Sequence, residues 1–257
     1  MDNIIPLFLA CLLAPPAAPA AGDHPSPPAA LEGGLPGSRT LLVALHGGTF
    51  TDRPPLELAQ RLLTDLSSEA RAAGLRLLVP VAPPAPAAPE AERYVVPWLR
   101  PDGEALLWSL VERERAAHRL AGERILLAGH GAGATGALTL AARHPDRVAA
   151  VAAWSGTPEP LWDDQHRVVA LAEPVVAGLQ SVPTFLFTAR DDPVLDRRAL
   201  TLFLEGLQAQ ATASPASAPF IHQEGEGGHG FGRQGPARAL RFLRDHAKSP
   251  PRLKQPR

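Results

Sequence analysis

The sequence predicts an α/β protein, a mostly parallel sheet with helices on both faces. Three observations carry that expectation. Short continuous apolar runs, such as Leu-Leu-Val-Ala-Leu at 41–45, recur along the chain and read as strands buried on both faces. Segments with apolar residues at helical spacing separate them. The alternation proceeds without an internal repeat, which favours one layered domain over a solenoid.

At 257 residues the chain is long enough for one large domain with its own core. A net charge of −1 and a pI near 6.8 supply no basic surface for nucleic acid. Residues 1–20 resemble a secretory signal. An apolar run at 4–14, too short to remain as a membrane span, precedes the small residues Ala18-Pro19-Ala20. Asp2 departs from the pattern, because such signals normally begin with Lys or Arg; an Ala/Pro leader is the alternative. The expectation is export, to a periplasm or outside the cell, with no stable membrane span. The single cysteine, Cys11, lies in this segment, and Phe8-Leu9-Ala10-Cys11 matches a lipoprotein box poorly. A chain cleaved after Ala20 would hold no thiol and no disulfide.

Residues 21–38 are rich in Pro, Ala and Gly and read as a flexible linker, with the folded domain at 39–247. The first strand, 40–45, ends in His46-Gly47-Gly48-Thr49. A helix follows at 55–73, with Leu56, Leu62, Leu63, Leu66 and Ala70 at helical spacing and Gly74 as its stop. A second strand spans 75–81. The proline-rich stretch 82–101, holding Tyr94 and Trp98, reads as a long surface loop beside a pocket, because proline lacks the donor a regular element needs. Asp102 opens a helix to about Leu120, with Leu106, Leu107, Leu110 and Val111 inward.

Strand 124–128 then runs through Gly129-His130-Gly131-Ala132-Gly133 into an Ala/Leu helix ended by His144-Pro145. Another strand occupies 148–154. The stretch 157–181 is less regular, with Trp162, Asp163, Asp164 and His166 placed to cover part of a pocket. Strand 183–188, a helix near 197–210, a strand near 219–223 and a last helix at 236–247 complete the domain. The tail, 248–257, is short and basic.

Four local patterns fall in a meaningful order. His46-Gly47-Gly48 follows the opening strand, though any tight strand-to-helix turn favours glycine. Gly129–Gly133 has the frame of the G-x-S-x-G elbow, with Gly131 where serine would stand. Arg190-Asp191-Asp192-Pro193 follows a strand, and could be a turn alone. Gly227-Gly228-His229-Gly230 follows the last strand, and a histidine so flanked by glycines has little packing purpose.

From about Leu41 to Ala247 these residues resemble the α/β-hydrolase superfamily. The likeness is greatest to compact secreted esterases of the polyhydroxyalkanoate-depolymerase or phospholipase/carboxylesterase type. The resemblance implies an oxyanion hole formed by the backbone of Gly48 or Thr49 and of Ala132. It implies a triad acid at Asp192, with Asp191 in reserve, and a general base at His229. It implies carboxylic esters as substrates and no cofactor or metal. Imidazoles at His46 and His130 would support turns beside the site, while His24, His118, His144, His166, His222 and His246 lack such a setting and read as surface or loop residues. Serine attack needs a hydroxyl within reach of the base, and Gly131 has none. The expectation is therefore an esterase-like fold with impaired or lost serine-hydrolase activity, a pseudoenzyme.

Alternatives remain on the sequence alone. His229 could activate a water, the pocket could serve ligand binding or interaction, or Ser155 could be a displaced nucleophile. A more distant rival is dinucleotide binding, because Gly131-Ala132-Gly133-Ala134-Thr135-Gly136 fits G-x-G-x-x-G after a strand. Against it, the end of the next strand carries no acidic residue for a ribose.

Overall fold

A computed structural model describes residues 29–48, 54–84, 96–120, 124–163, 165, 167–171, 175–214, 217–232 and 235–248. The expected signal segment, Cys11, His24, Thr49, Tyr94, Asp164 and His166 lie outside them, as does most of the tail.

Seven strands form the main sheet: β1 (Ala30–Gly34), β2 (Leu41–Leu45), β3 (Arg76–Pro80), β4 (Ile125–His130), β5 (Val148–Trp154), β8 (Thr184–Ala189) and β9 (Phe220–Gly225). Their order is β1-β3-β2-β4-β5-β8-β9, all parallel except β1. A hairpin, β6 (Pro160–Trp162) and β7 (Val168–Leu171), follows β5 as a separate small sheet. Alternate residues of β2 serve opposite faces. Leu41, Val43 and Leu45 point to one core, whereas Leu42 and Ala44 point to the other. Both faces are covered, so each apolar run is buried end to end.

Helices α2 (Pro101–His118), α3 (Ala132–Arg143), α4 (Val175–Leu179) and α5 (Arg197–Ala213) cover the first face. Helices α1 (Pro55–Ala72) and α6 (Ala237–His246) cover the second. Proline at the first turn of α1 and Gly74 at φ 74° beyond its end bound that helix as the sequence implied. Asp196 caps α5 by accepting the Ala199 N–H at 2.9 Å.

Two expectations need correction. The stretch read as linker contains β1, which pairs with β3 from Ala30↔Pro80 to Gly34↔Arg76. Its glycines are there for close packing. A Cβ on Gly33 would stand 2.6 Å from Ser67 Oγ, and one on Gly34 would collide with the Leu75 carbonyl. The proline-rich segment likewise ends in a 3₁₀ turn, Pro97–Leu99, and its Trp98 is fully buried in the core, where it lines no open pocket. Of the remaining histidines, His222 belongs to β9 and bonds the Thr188 hydroxyl at 2.8 Å.

A charged knot pins the β1 edge. The buried Arg76 guanidinium meets Glu32 at 2.6 Å, Glu114 at 3.0 Å, His118 Nε2 at 2.6 Å and the Pro36 carbonyl at 2.9 Å. These bonds tie β1, β3 and α2 together. From β2 the chain moves outward to β3, then crosses back to β4 on the other side of β2. The carboxyl ends of β2 and β4 are therefore a topological switch point, where a crevice opens in such sheets.

Candidate functional site

Two turns meet at that switch point. The first, His46-Gly47-Gly48, leaves β2; the second, His130-Gly131, joins β4 to α3. They press together so closely that a Cβ on Gly47 would stand 2.6 Å from the His130 carbonyl and 3.4 Å from the Ala132 nitrogen. Only glycine permits that approach. Gly48 adopts φ 97°, again a glycine conformation.

The first turn is braced from below. His46 donates from Nδ1 to the Gly47 carbonyl at 2.9 Å and accepts the Ala82 N–H at Nε2 at 3.1 Å. Burial lowers its pKa, partly opposed by the Gly47 bond, so the imidazole stays neutral and keeps this tautomer. Trp98 donates its indole N–H to the His46 carbonyl at 2.9 Å and packs edge-on to its ring. The support role expected of His46 has a specific partner that the sequence did not show.

The second turn has the elbow conformation. Gly131 sits at φ 57°, ψ −123°, and its N–H bonds the Trp154 carbonyl at 2.9 Å. Its own carbonyl accepts from Ala134 and Thr135, which starts α3. Ala132 is the first residue of that helix, so its N–H has no intrahelical partner and lies at the positive end of the helix dipole. The other glycines of the stretch are steric necessities. A Cβ on Gly129 would strike the Gly133 carbonyl, one on Gly133 the Leu45 carbonyl, and one on Gly136 would lie 2.8 Å from Trp98 Cβ. Every glycine that suggested a dinucleotide loop thus has a packing or turn reason of its own.

Beyond β8 and β9 the two remaining turns converge on the elbow. His229 Nδ1 faces both Asp192 oxygens at 3.1 Å. Asp192, its side chain fully buried, also accepts the N–H groups of Val194 and Leu195 at 2.9 and 3.1 Å. Burial alone would raise the Asp192 pKa. The Val194 bond, the attraction of His229 and the Leu195 bond outweigh it and hold the carboxyl below its ordinary value. An ionised Asp192 fixes the His229 proton on Nδ1 and leaves the Nε2 lone pair free to accept.

Nε2 points at the elbow. A Cβ on Gly131 would stand 3.0 Å from Nε2 and 3.6 Å from Cε1, with Gly47 Cα next at 4.0 Å. The structure thus brings Gly131, His229, Asp192, Gly47 and Ala132 together, with Gly48 the next residue of the first turn; Thr49 lies outside the described residues.

Two further residues shape the histidine loop. Asp191 accepts the N–H groups of Gly227 at 3.0 Å and Gly228 at 3.1 Å, which lowers its own pKa. The reserve choice for the acid is therefore a clamp on the loop that carries the base. Ser155, at φ 54°, donates its hydroxyl to the Gly230 carbonyl at 3.1 Å. Its hydroxyl is thereby engaged by the histidine loop. Sequence reasoning missed both tethers, since neither partner is near in sequence.

Comparison with known proteins bears on the fold. Residues 100–208 match the family model described as esterase PHB depolymerase, a span that holds the elbow and Asp192. The sheet, its strand order and the four turns decide the matter. The chain has an α/β-hydrolase fold. Esterase PE8 superposes with a TM-score of 0.58 at 21% identity, over 84% of this chain and 97% of that one. A phospholipase/carboxylesterase from Dyadobacter fermentans gives 0.52 at 16%, over 82% and 95%. An S-formylglutathione hydrolase from Agrobacterium tumefaciens gives 0.53 at 16%, over 81% and 82%. At these identities the likeness establishes the fold. No curated protein matches the sequence significantly.

Proposed function

We infer that this hydrolase-fold chain binds carboxylic esters, keeps a base and an oxyanion cradle, and forms no acyl-enzyme. One observation carries the reading: the position facing His229 Nε2 is Gly131, which has no side chain. Acyl-enzyme chemistry needs a nucleophilic side chain at that point. The helix N-terminus at Ala132 and the Gly48 turn suit an ester carbonyl. Exposed apolar side chains, Leu161 and Val169 on the β6–β7 hairpin and Val194 beside Asp192, stand on segments that follow β5 and β8 at the same sheet edge. They favour an apolar acyl or alcohol group. Export of the mature chain belongs to the same proposal.

The test is fluorophosphonate labelling and p-nitrophenyl ester turnover, with the wild type compared with Gly131→Ser. The wild type should take up no label. The serine variant should label and gain turnover, although His229 must first yield a few tenths of an ångström. Labelled wild type, with the adduct mapped to any residue of this site, would sink the reading.

A further inference from the structure

The geometry points to a second way of using this site: acyl transfer in a single displacement, in which a small O–H nucleophile from solution sits before Gly131 and His229 activates it. The inference rests on the reading above, and adds a reaction and a class of co-substrate to it.

Space and direction support it. Among the described residues, apart from Gly131 and its chain neighbours, only His229 comes closer than 4.0 Å to the point where a Cβ would stand. No described side chain stands between Gly131 and Nε2, and in this reaction a water or small alcohol takes that place, hydrogen-bonded to Nε2 in the role of a serine hydroxyl. Its natural hydrogen-bond acceptor is Nε2, whose proton partner on the far side of the ring is the buried Asp192. The His229 side chain is 30% exposed, so solvent reaches it. Strain adds a further point. At φ 57° glycine sits without the cost a side chain would bring.

The step balances without a cofactor. As the incoming oxygen bonds to the acyl carbon, its proton passes to His229 Nε2 and the carbonyl pair moves onto oxygen, facing the N–H groups of Ala132 and Gly48. The pair then returns, the C–O bond to the departing alcohol breaks, and Nε2 delivers the proton to that alkoxide. With water the products are acid and alcohol. With a small alcohol the product is a new ester. General-base assistance of this kind contributes on the order of 10²–10⁴-fold.

The experiment follows p-nitrophenyl acetate with wild type, Gly131→Ala and His229→Ala, in buffer and with added methanol, ethanol or tert-butanol. Substrate-analogue binding is measured separately by calorimetry with the matching acetanilide. Methanol should raise p-nitrophenol release by wild type, with methyl acetate as product, no initial burst and no acylated protein by intact mass. The effect should fall with ethanol and vanish with tert-butanol. Gly131→Ala, whose methyl fills the space and crowds Nε2, should drop to the His229→Ala rate, about 10²-fold below wild type. Should Gly131→Ala fail to fold, the alcohol-size series on wild type and the loss in His229→Ala decide alone. Analogue binding without methanol rescue overturns this inference and leaves the ester-binding reading intact. A burst with acylated protein overturns both.

Discussion

His130 shows how one residue can set the acid limit of the whole site. It adjoins Gly131, packs edge-on against His229 at 5.0 Å, and touches Phe231 at 5.1 Å. Its Nε2 is buried with no hydrogen-bond partner among the described residues. Burial, then the neighbouring His229, push its pKa down to about 4, against smaller opposing effects from a bond to the His229 backbone and from Asp192. The folded pKa lies below the unfolded value of 6.5. Between those two values the unfolded chain holds the extra proton, so stability should fall as pH drops from 6.5 to about 4. The ceiling is about 3 kcal/mol, from 1.36 kcal/mol per unit. His46 and His222, both lowered mainly by burial, act in the same direction. Urea unfolding of wild type and His130→Phe at pH 7 and 4.5 measures this. The variant should lose a clearly smaller part of its stability on acidification; equal losses would show that His130 is not the group responsible.

At the level of elements, the histidine loop depends on its tethers. Asp191 holds the Gly227 and Gly228 amides from one side, and Ser155 holds the Gly230 carbonyl from the other. Asp191→Ala should speed hydrogen exchange at Gly227 and Gly228 several-fold and leave the α3 amides unchanged. Unchanged exchange in the loop would deny Asp191 this role. The turn itself was legible in the sequence, because a histidine among three glycines suits no helix or strand. Its tethers were not, since Asp191 and Gly227 are 36 residues apart and Ser155 and Gly230 are 75 apart. A reading by local pattern has no access to such pairs. The same limit hid the role of Trp98, whose partners are the His46 carbonyl and the glycine face of α3.

At the level of the molecule, the parallel sheet was legible because its strands are buried on both faces and so read as unbroken apolar runs. β1 was not. Its Ala-Leu-Glu-Gly-Gly composition looks like a spacer, and its pairing depends on Arg76, about 40 residues away. Arg76 is nearly fully buried beside the equally buried Glu114. Removing one partner of a buried ion pair costs about 3–5 kcal/mol, because the other charge is left stranded. Arg76→Ala should therefore lower Tm by roughly 10 °C, at about 2–4 °C per kcal/mol for a domain of this size. Arg39→Ala serves as the control, since the bond of that arginine to the Arg119 carbonyl is exposed. Equal shifts for the two variants would remove the knot from the account of stability.

Trp98 and Trp154 have a consequence for anyone who works with this molecule. Both indoles are almost wholly shielded from water. Trp98 is bonded to the carbonyl of the β2 turn, and Trp154 lies 5.1 Å from Phe231 of the histidine loop. The two turns of the site are therefore each backed by a fluorophore. With Trp108 and Trp162 replaced by Phe, blue-shifted emission should report the packed turns, and a red shift or quenching should mark the moment either turn moves, with no dye attached.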